Sequence, residues 1–123
     1  MKPKKILIVD DEYLIRWAMV HTLSDAGYEV AAADDGLKAI EAAREGIFDF
    51  VITDLDMPGL GGWELLAMLL DLPIPPRVIV TSACGDRDNV NKVKEKGGWA
   101  FVEKSSSLID GIKETLKEAS IGG

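Results

Sequence analysis

Residues 50–62 read FVITDLDMPGLGG, and the change of character at Asp54 decides the fold. Phe50 to Thr53 run apolar or β-branched without the alternation of a half-solvated strand, so both faces of this strand are expected to be covered. Two acids, a proline and three glycines follow, a composition that makes a loop. Beyond it, Gly62 to Leu70 is rich in leucine and reads as a helix. Strand, acid-bearing loop and helix in that order form one βα unit of a parallel sheet.

The same order recurs along the chain. Ile6 to Val9, Glu29 to Ala33, Val78 to Thr81 and Ala100 to Glu103 complete a set of five short strands. The first helix is expected from Tyr13 to Ala26, with Ile15, Ala18, Met19, Leu23 and Ala26 on one stripe and Gly27 as its stop. Further helices are expected near Leu37 to Arg44, Asp86 to Lys96 and Ser106 to Ala119, the last capped by a serine run. The helix after the fourth strand has only Val90 and Val93 as apolar anchors. Asp71 to Pro76, DLPIPP, is a stiff connector whose three prolines forbid helix continuation. Five βα units in succession place the chain in the α/β class, as a single domain over residues 1–123.

Composition limits the function classes. A chain of 123 residues can bury a core without disulfides or a structural metal, and its lone cysteine excludes an intramolecular disulfide. One cysteine and one histidine make no zinc site, and a reducing, cytoplasmic setting follows. The apolar run in MKPKKILIVDDE is too short for a signal peptide or a membrane span. Twenty-one acids against 14 bases give a formal charge of −7, which argues against direct nucleic-acid binding by this domain.

The chemistry gathers at strand ends. In an open parallel sheet, ligands bind beyond the carboxyl ends of the strands, where the strand order reverses. Asp10 and Asp11 follow the first strand and Asp54 the third, so three carboxylates converge if those strands are neighbours. Such a cluster repels itself unless a cation sits in it, and carboxylate oxygens with water suit Mg²⁺ (or Mn²⁺) better than a soft metal. Lys104 ends the fifth strand, and Thr81 and Ser82 end the fourth. An ammonium and a hydroxyl are the donors that an anionic phosphoryl group on Asp54 would need. Taken singly, each of these residues is more often a helix cap or surface decoration; their joint placement makes the pattern.

With these motifs the chain resembles a response-regulator receiver domain, the phosphoacceptor half of two-component signalling, over essentially its whole length. The resemblance implies a flavodoxin-like (βα)5 doubly wound sheet of strand order 2-1-3-4-5. It implies that Asp54 accepts a phosphoryl group from a phosphohistidine of a sensor histidine kinase or phosphotransfer protein. Asp10, Asp11 and Asp54 would hold Mg²⁺ with the backbone carbonyl of Asp56, while Met57, Pro58 and Gly62 match the loop after the acceptor. Lys104 and Ser82 would meet the phosphoryl group, Ser82 being preferred to Thr81 because a small residue, Ala83, follows it. Phe101 matches the aromatic that moves with the switch of the face made by the fourth helix, fifth strand and fifth helix. Asp56 and Cys84 border the path of attacking water and are expected to tune the lifetime of the phosphorylated form. An effector domain or a homodimer partner would receive the output.

One departure stands out. The family lysine usually precedes a proline in a cis peptide, whereas Ser105 follows Lys104 here, and a cis bond before serine would cost about 2.5–4 kcal/mol. Two other readings of the site exist. DLDM at Asp54 to Met57 also looks like the opening of a haloacid-dehalogenase-type phosphatase, although the residue two beyond Asp56 is not Thr or Val and no segment is left for a substrate cap. A pseudo-receiver that binds a partner without phosphorylation is the third reading. His21, one turn from Trp17, reads as a surface or packing residue. The all-round apolar third helix reads either as tightly buried or as partly presented to a partner.

Overall fold

A computed structural model describes residues 4–83, 85 and 87–121. Its strands are β1 (Lys5–Val9), β2 (Glu29–Ala33), β3 (Phe50–Asp54), β4 (Arg77–Ser82) and β5 (Ala100–Glu103). Its helices are α1 (Tyr13–Asp25), α2 (Gly36–Glu45), α3 (Gly62–Leu70), α4 (Arg87–Glu95) and α5 (Leu108–Ile121). The strands form one parallel sheet in the order β2-β1-β3-β4-β5. Chain order and sheet order part company at β1, between β2 and β3, the position at which open parallel sheets generally bind their ligands.

The unbroken apolar runs explain the sheet's interior. Ile6 to Val9 and Val51 to Ile52 have no solvent exposure, because helices cover both faces. One core, on the side of α2, α3 and α4, contains Leu7, Val51, Leu66, Val80 and Val93; the other, on the side of α1 and α5, contains Ile8, Ile52, Leu23, Ile79 and Ile112. The edge strands are less buried: Ala31 and Ala32 of β2 are exposed, and all of β5 is half-buried or exposed.

Several boundaries move by a residue or two from expectation. β3 and β4 each extend to a polar residue, Asp54 and Ser82, because the ladder continues past the apolar run. α5 starts at Leu108, not Ser106, since Ser105 first makes a turn: its Oγ accepts from the Ser107 N–H at 3.2 Å and its carbonyl from the Leu108 N–H at 3.1 Å. α1 ends at Asp25, leaving Ala26 exposed, and Gly27 follows in the left-handed region at φ 100°. Asp86, expected to start the fourth helix, and Cys84 lie outside the described residues.

The third helix settles as buried: Leu65, Leu66 and Leu69 are in the core, while Trp63, Met68 and Leu70 are half-buried. The Lys92 ammonium of α4 covers the Trp63 ring at 4.7 Å. Apolar exposure falls instead on Tyr13, Leu14 and Trp17 at the start of α1, and on the separate Leu37, Ile47 and Ile74. Trp17 packs on His21, with ring centroids 4.3 Å apart. Among the described residues no peptide bond is cis, so Lys104–Ser105 is trans. No helix is long and apolar enough to cross a membrane among the described residues.

Candidate functional site

β1 and β3 are neighbours, with Val9 opposite Thr53, so the acids that follow them come together at the carboxyl edge of the sheet. Asp10 has no solvent exposure. Its Oδ1 accepts the Glu12 N–H at 2.9 Å, while the Arg16 guanidinium donates to its carbonyl at 2.8 Å. These bonds fix the turn from β1 into α1. Asp11 and Glu12 remain exposed.

Asp54 closes β3 and is 3% exposed. Its Oδ1 accepts the Asp56 N–H at 3.1 Å, and the Leu55 N–H donates to the Thr81 carbonyl at 2.9 Å. The loop then turns at Gly59, φ 77°, where a side chain would be strained. It returns so closely that a Cβ on Gly62 would stand 2.6 Å from the Asp54 carbonyl oxygen and from Leu55 Cα. Glycine at 62 is therefore what lets α3 start against the end of β3.

Lys104 arrives from β5, its N–H donating to the Ser82 carbonyl at 2.8 Å. Its ammonium is 2.7 Å from Asp54 Oδ2, 2.9 Å from Asp10 Oδ2 and 2.9 Å from Glu12 Oε1. A trans bond to serine thus still delivers the amine to the acids. Burial works against the ammonium, but the Asp54, Asp10 and Glu12 carboxylates outweigh it and raise its pKa. For Asp54, burial comes first and raises the pKa, and the opposing pull of Lys104 and of the Asp56 N–H only partly offsets it.

Four carboxylates, of Asp10, Asp11, Glu12 and Asp54, can bring ligand atoms within 4.8 Å of one another. One ammonium does not neutralise four acids. Asp10 Oδ2 is buried and accepts no hydrogen bond of good geometry, Lys104 meeting it only as an ion pair. Hard oxygen donors, an excess of negative charge and an unsatisfied buried oxygen fit a small divalent cation such as Mg²⁺ or Mn²⁺.

The remaining expected residues fall around this centre. Ser82 is buried, and its Oγ donates to Asp56 Oδ2 at 3.0 Å. Thr81, its neighbour in β4, is buried too and meets the Thr53 carbonyl at 3.5 Å, within the sheet. Phe101 is half-buried against the core on the α2, α3 and α4 side. Cys84 lies outside the described residues. The sequence reading missed Glu12 as a partner of Lys104 and the Asp56 side chain as a partner of Ser82. Glu12's place beside the acid pair was the only available signal.

The sheet order and the acids at its carboxyl edge define the CheY-like class of flavodoxin folds. The family model described as "Response regulator receiver domain" matches residues 6–116, and the chain belongs to that family, whose members act in two-component signalling and phosphorelays. The chain is 33% identical over 118 residues to sporulation initiation phosphotransferase F of Bacillus subtilis, covering 96% of this chain and 94% of that protein. It is 35% identical over 109 residues to the transcriptional regulatory protein PdtaR of Mycobacterium tuberculosis, spanning 88% of this chain but only 53% of that protein. Among solved structures, the response regulator protein TrrA of Thermotoga maritima, in complex with Mg²⁺–BeF, matches with a TM-score of 0.83 at 30% identity, over 94% of this chain and 97% of that one.

Proposed function

We propose that Asp54 accepts a phosphoryl group from a phosphohistidine on a sensor histidine kinase or phosphotransfer protein and later loses it to water. The observation that carries this reading is the buried Asp54 carboxylate, set 2.7 Å from the Lys104 ammonium within a cluster of further acids. A carboxylate oxygen of Asp54 attacks phosphorus, the P–N bond to histidine breaks, and an acyl phosphate results. Lys104 moves its donor from Asp54 Oδ2 to a phosphoryl oxygen. Hydrolysis restores the carboxylate and releases inorganic phosphate.

Asp10, Asp11, Asp54 and the Asp56 carbonyl would hold Mg²⁺ or Mn²⁺, which would supply neutralisation of the negative charge gathered in the reaction. Because phosphoryl transfer asks little covalent work of a protein, the chain contributes mainly position and charge, and it modifies only itself. Ser82 donates to the phosphoryl group, and Phe101 follows into the vacated space, altering the face of α4, β5 and α5. That face reports to an effector domain or to a second copy, within the cytoplasm, and residues 1–123 work as one receiver domain. Half-length coverage of a transcriptional regulator supports an attached effector as one arrangement.

The test is intact mass after incubation with Mg²⁺ and acetyl phosphate or phosphoramidate. A gain of one phosphoryl group, absent in Asp54→Asn, is expected. No gain at any Mg²⁺ concentration refutes the proposal, and sustained phosphate release from a phosphomonoester would replace it with a phosphatase.

A further inference from the structure

The hydroxyl that the proposed function assigns to the phosphoryl group already has an anionic acceptor. Ser82 is 1% exposed, and a buried hydroxyl must place its proton on some acceptor. The Asp56 carboxylate takes it at 3.0 Å, a charge-assisted bond stronger than one to a neutral oxygen. The same residue donates its backbone N–H to Asp54 Oδ1 at 3.1 Å. Asp56 therefore touches the acceptor through its main chain and the hydroxyl through its side chain.

We infer that the Asp56 carboxylate is a latch that holds the Ser82 hydroxyl in the unphosphorylated arrangement. The inference rests on the phosphoacceptor reading of Asp54 and makes Asp56 a positioning residue within it. When a phosphoryl group arrives, Ser82 exchanges one anionic acceptor for another, so its new bond yields less net drive than a bond formed by an uncommitted hydroxyl. Asp56 is exposed, so water solvates its carboxylate once the serine leaves. The latch thus opposes switching without blocking it. A neutral, non-accepting residue at 56 would leave the hydroxyl readier to turn toward Asp54.

The experiment is a titration of the protein with beryllofluoride, a phosphoryl mimic, in the presence of Mg²⁺, followed by amide NMR at Phe101 and Lys104. Asp56→Ala should tighten binding about tenfold, the scale of one hydrogen bond to an ionised acceptor. Without ligand, its Phe101 resonance should already lie partway toward the bound position. In a Ser82→Ala background the same substitution should change binding by no more than about twofold. Asp56→Asn, which keeps an acceptor oxygen and loses the charge, should fall between wild type and Asp56→Ala.

If Asp56→Ala tightens binding equally with and without the Ser82 hydroxyl, or if Asp56→Asn matches Asp56→Ala, plain charge repulsion is at work and the latch is overturned. Unchanged binding in Asp56→Ala overturns it as well. Wild-type protein that binds no beryllofluoride overturns the phosphoacceptor reading, and the latch with it.

Discussion

Lys104→Met keeps a long apolar stem and removes the ammonium, which tests how much of the site's buried negative charge that ammonium offsets. The lysine side chain is 8% exposed and stands beside Asp54 and Asp10, themselves 3% and 0% exposed. Without it, two buried carboxylates face each other with no cation. Removing one member of a buried pair costs about 3–5 kcal/mol. The folded protein can escape part of that cost by protonating a carboxyl. From an ordinary aspartate pKa, protonation costs about 4 kcal/mol near pH 7 but only about 1.5 kcal/mol near pH 5.

The sign follows from linkage. Asp54 already titrates above its ordinary value, and losing the ammonium pushes it higher. A folded carboxyl with a raised pKa keeps a proton that the unfolded chain has released, so stability falls as pH rises from about 3.9 through the folded value. Urea unfolding of metal-free Lys104→Met should therefore show a deficit of about 3–4 kcal/mol against wild type near pH 7, shrinking to about 1.5 kcal/mol or less near pH 5. Millimolar Mg²⁺ should narrow the gap at pH 7, because the ion meets no competing ammonium in the variant. A deficit under about 1 kcal/mol at pH 7, or one equal at both pH values, would refute this charge accounting.

Other expectations follow from the same geometry. Asp54→Asn removes a carboxyl whose burial raises its pKa, so the metal-free variant should melt at or above wild type near pH 7. Its advantage should fade as pH falls through the folded pKa of Asp54, and a lower Tm at neutral pH would contradict the raised value. Gly62→Ala places a Cβ 2.6 Å from backbone atoms of Asp54 and Leu55. It should cost about 1–3 kcal/mol and slow labelling by acetyl phosphate, whereas a neutral alanine would show that the loop has slack. Leu66→Ala, at a position 1% exposed, should lose about 2–5 kcal/mol in urea unfolding; a loss under 1 kcal/mol would place α3 outside the core.

What the sequence showed well was what short-range patterning controls. ILIV and VIVT had to be strands covered on both faces, and the acids after them had to lie at the sheet's carboxyl edge. Boundaries were less legible where polar residues extend a ladder, as Ser82 does, or where a serine makes a turn before the helix, as Ser105 does. The α3 surface could not be assigned until Lys92 was seen over Trp63. Hardest to read were the bonds of exposed carboxylates. Glu12 reaches an ammonium 92 residues away, and Asp56 a hydroxyl 26 residues away, through side chains that carry no periodic signal. The exposed Tyr13, Leu14 and Trp17 were equally hidden, because their neighbours Met19 and Leu23 carry the buried stripe of the same helix.

The parallel sheet also sets when the site can exist. Each pair of adjacent strands is joined through a crossover, so pairing must wait for distant segments, and non-local pairing is slow. Asp10 and Asp54 meet when β3 joins β1, but the ammonium that partly offsets them arrives with Lys104, after β5. On a ribosome, a chain interrupted before β5 would carry the acids without their counter-charge. Charge compensation at the carboxyl edge of the sheet is therefore acquired late, because it waits for a residue that follows β5.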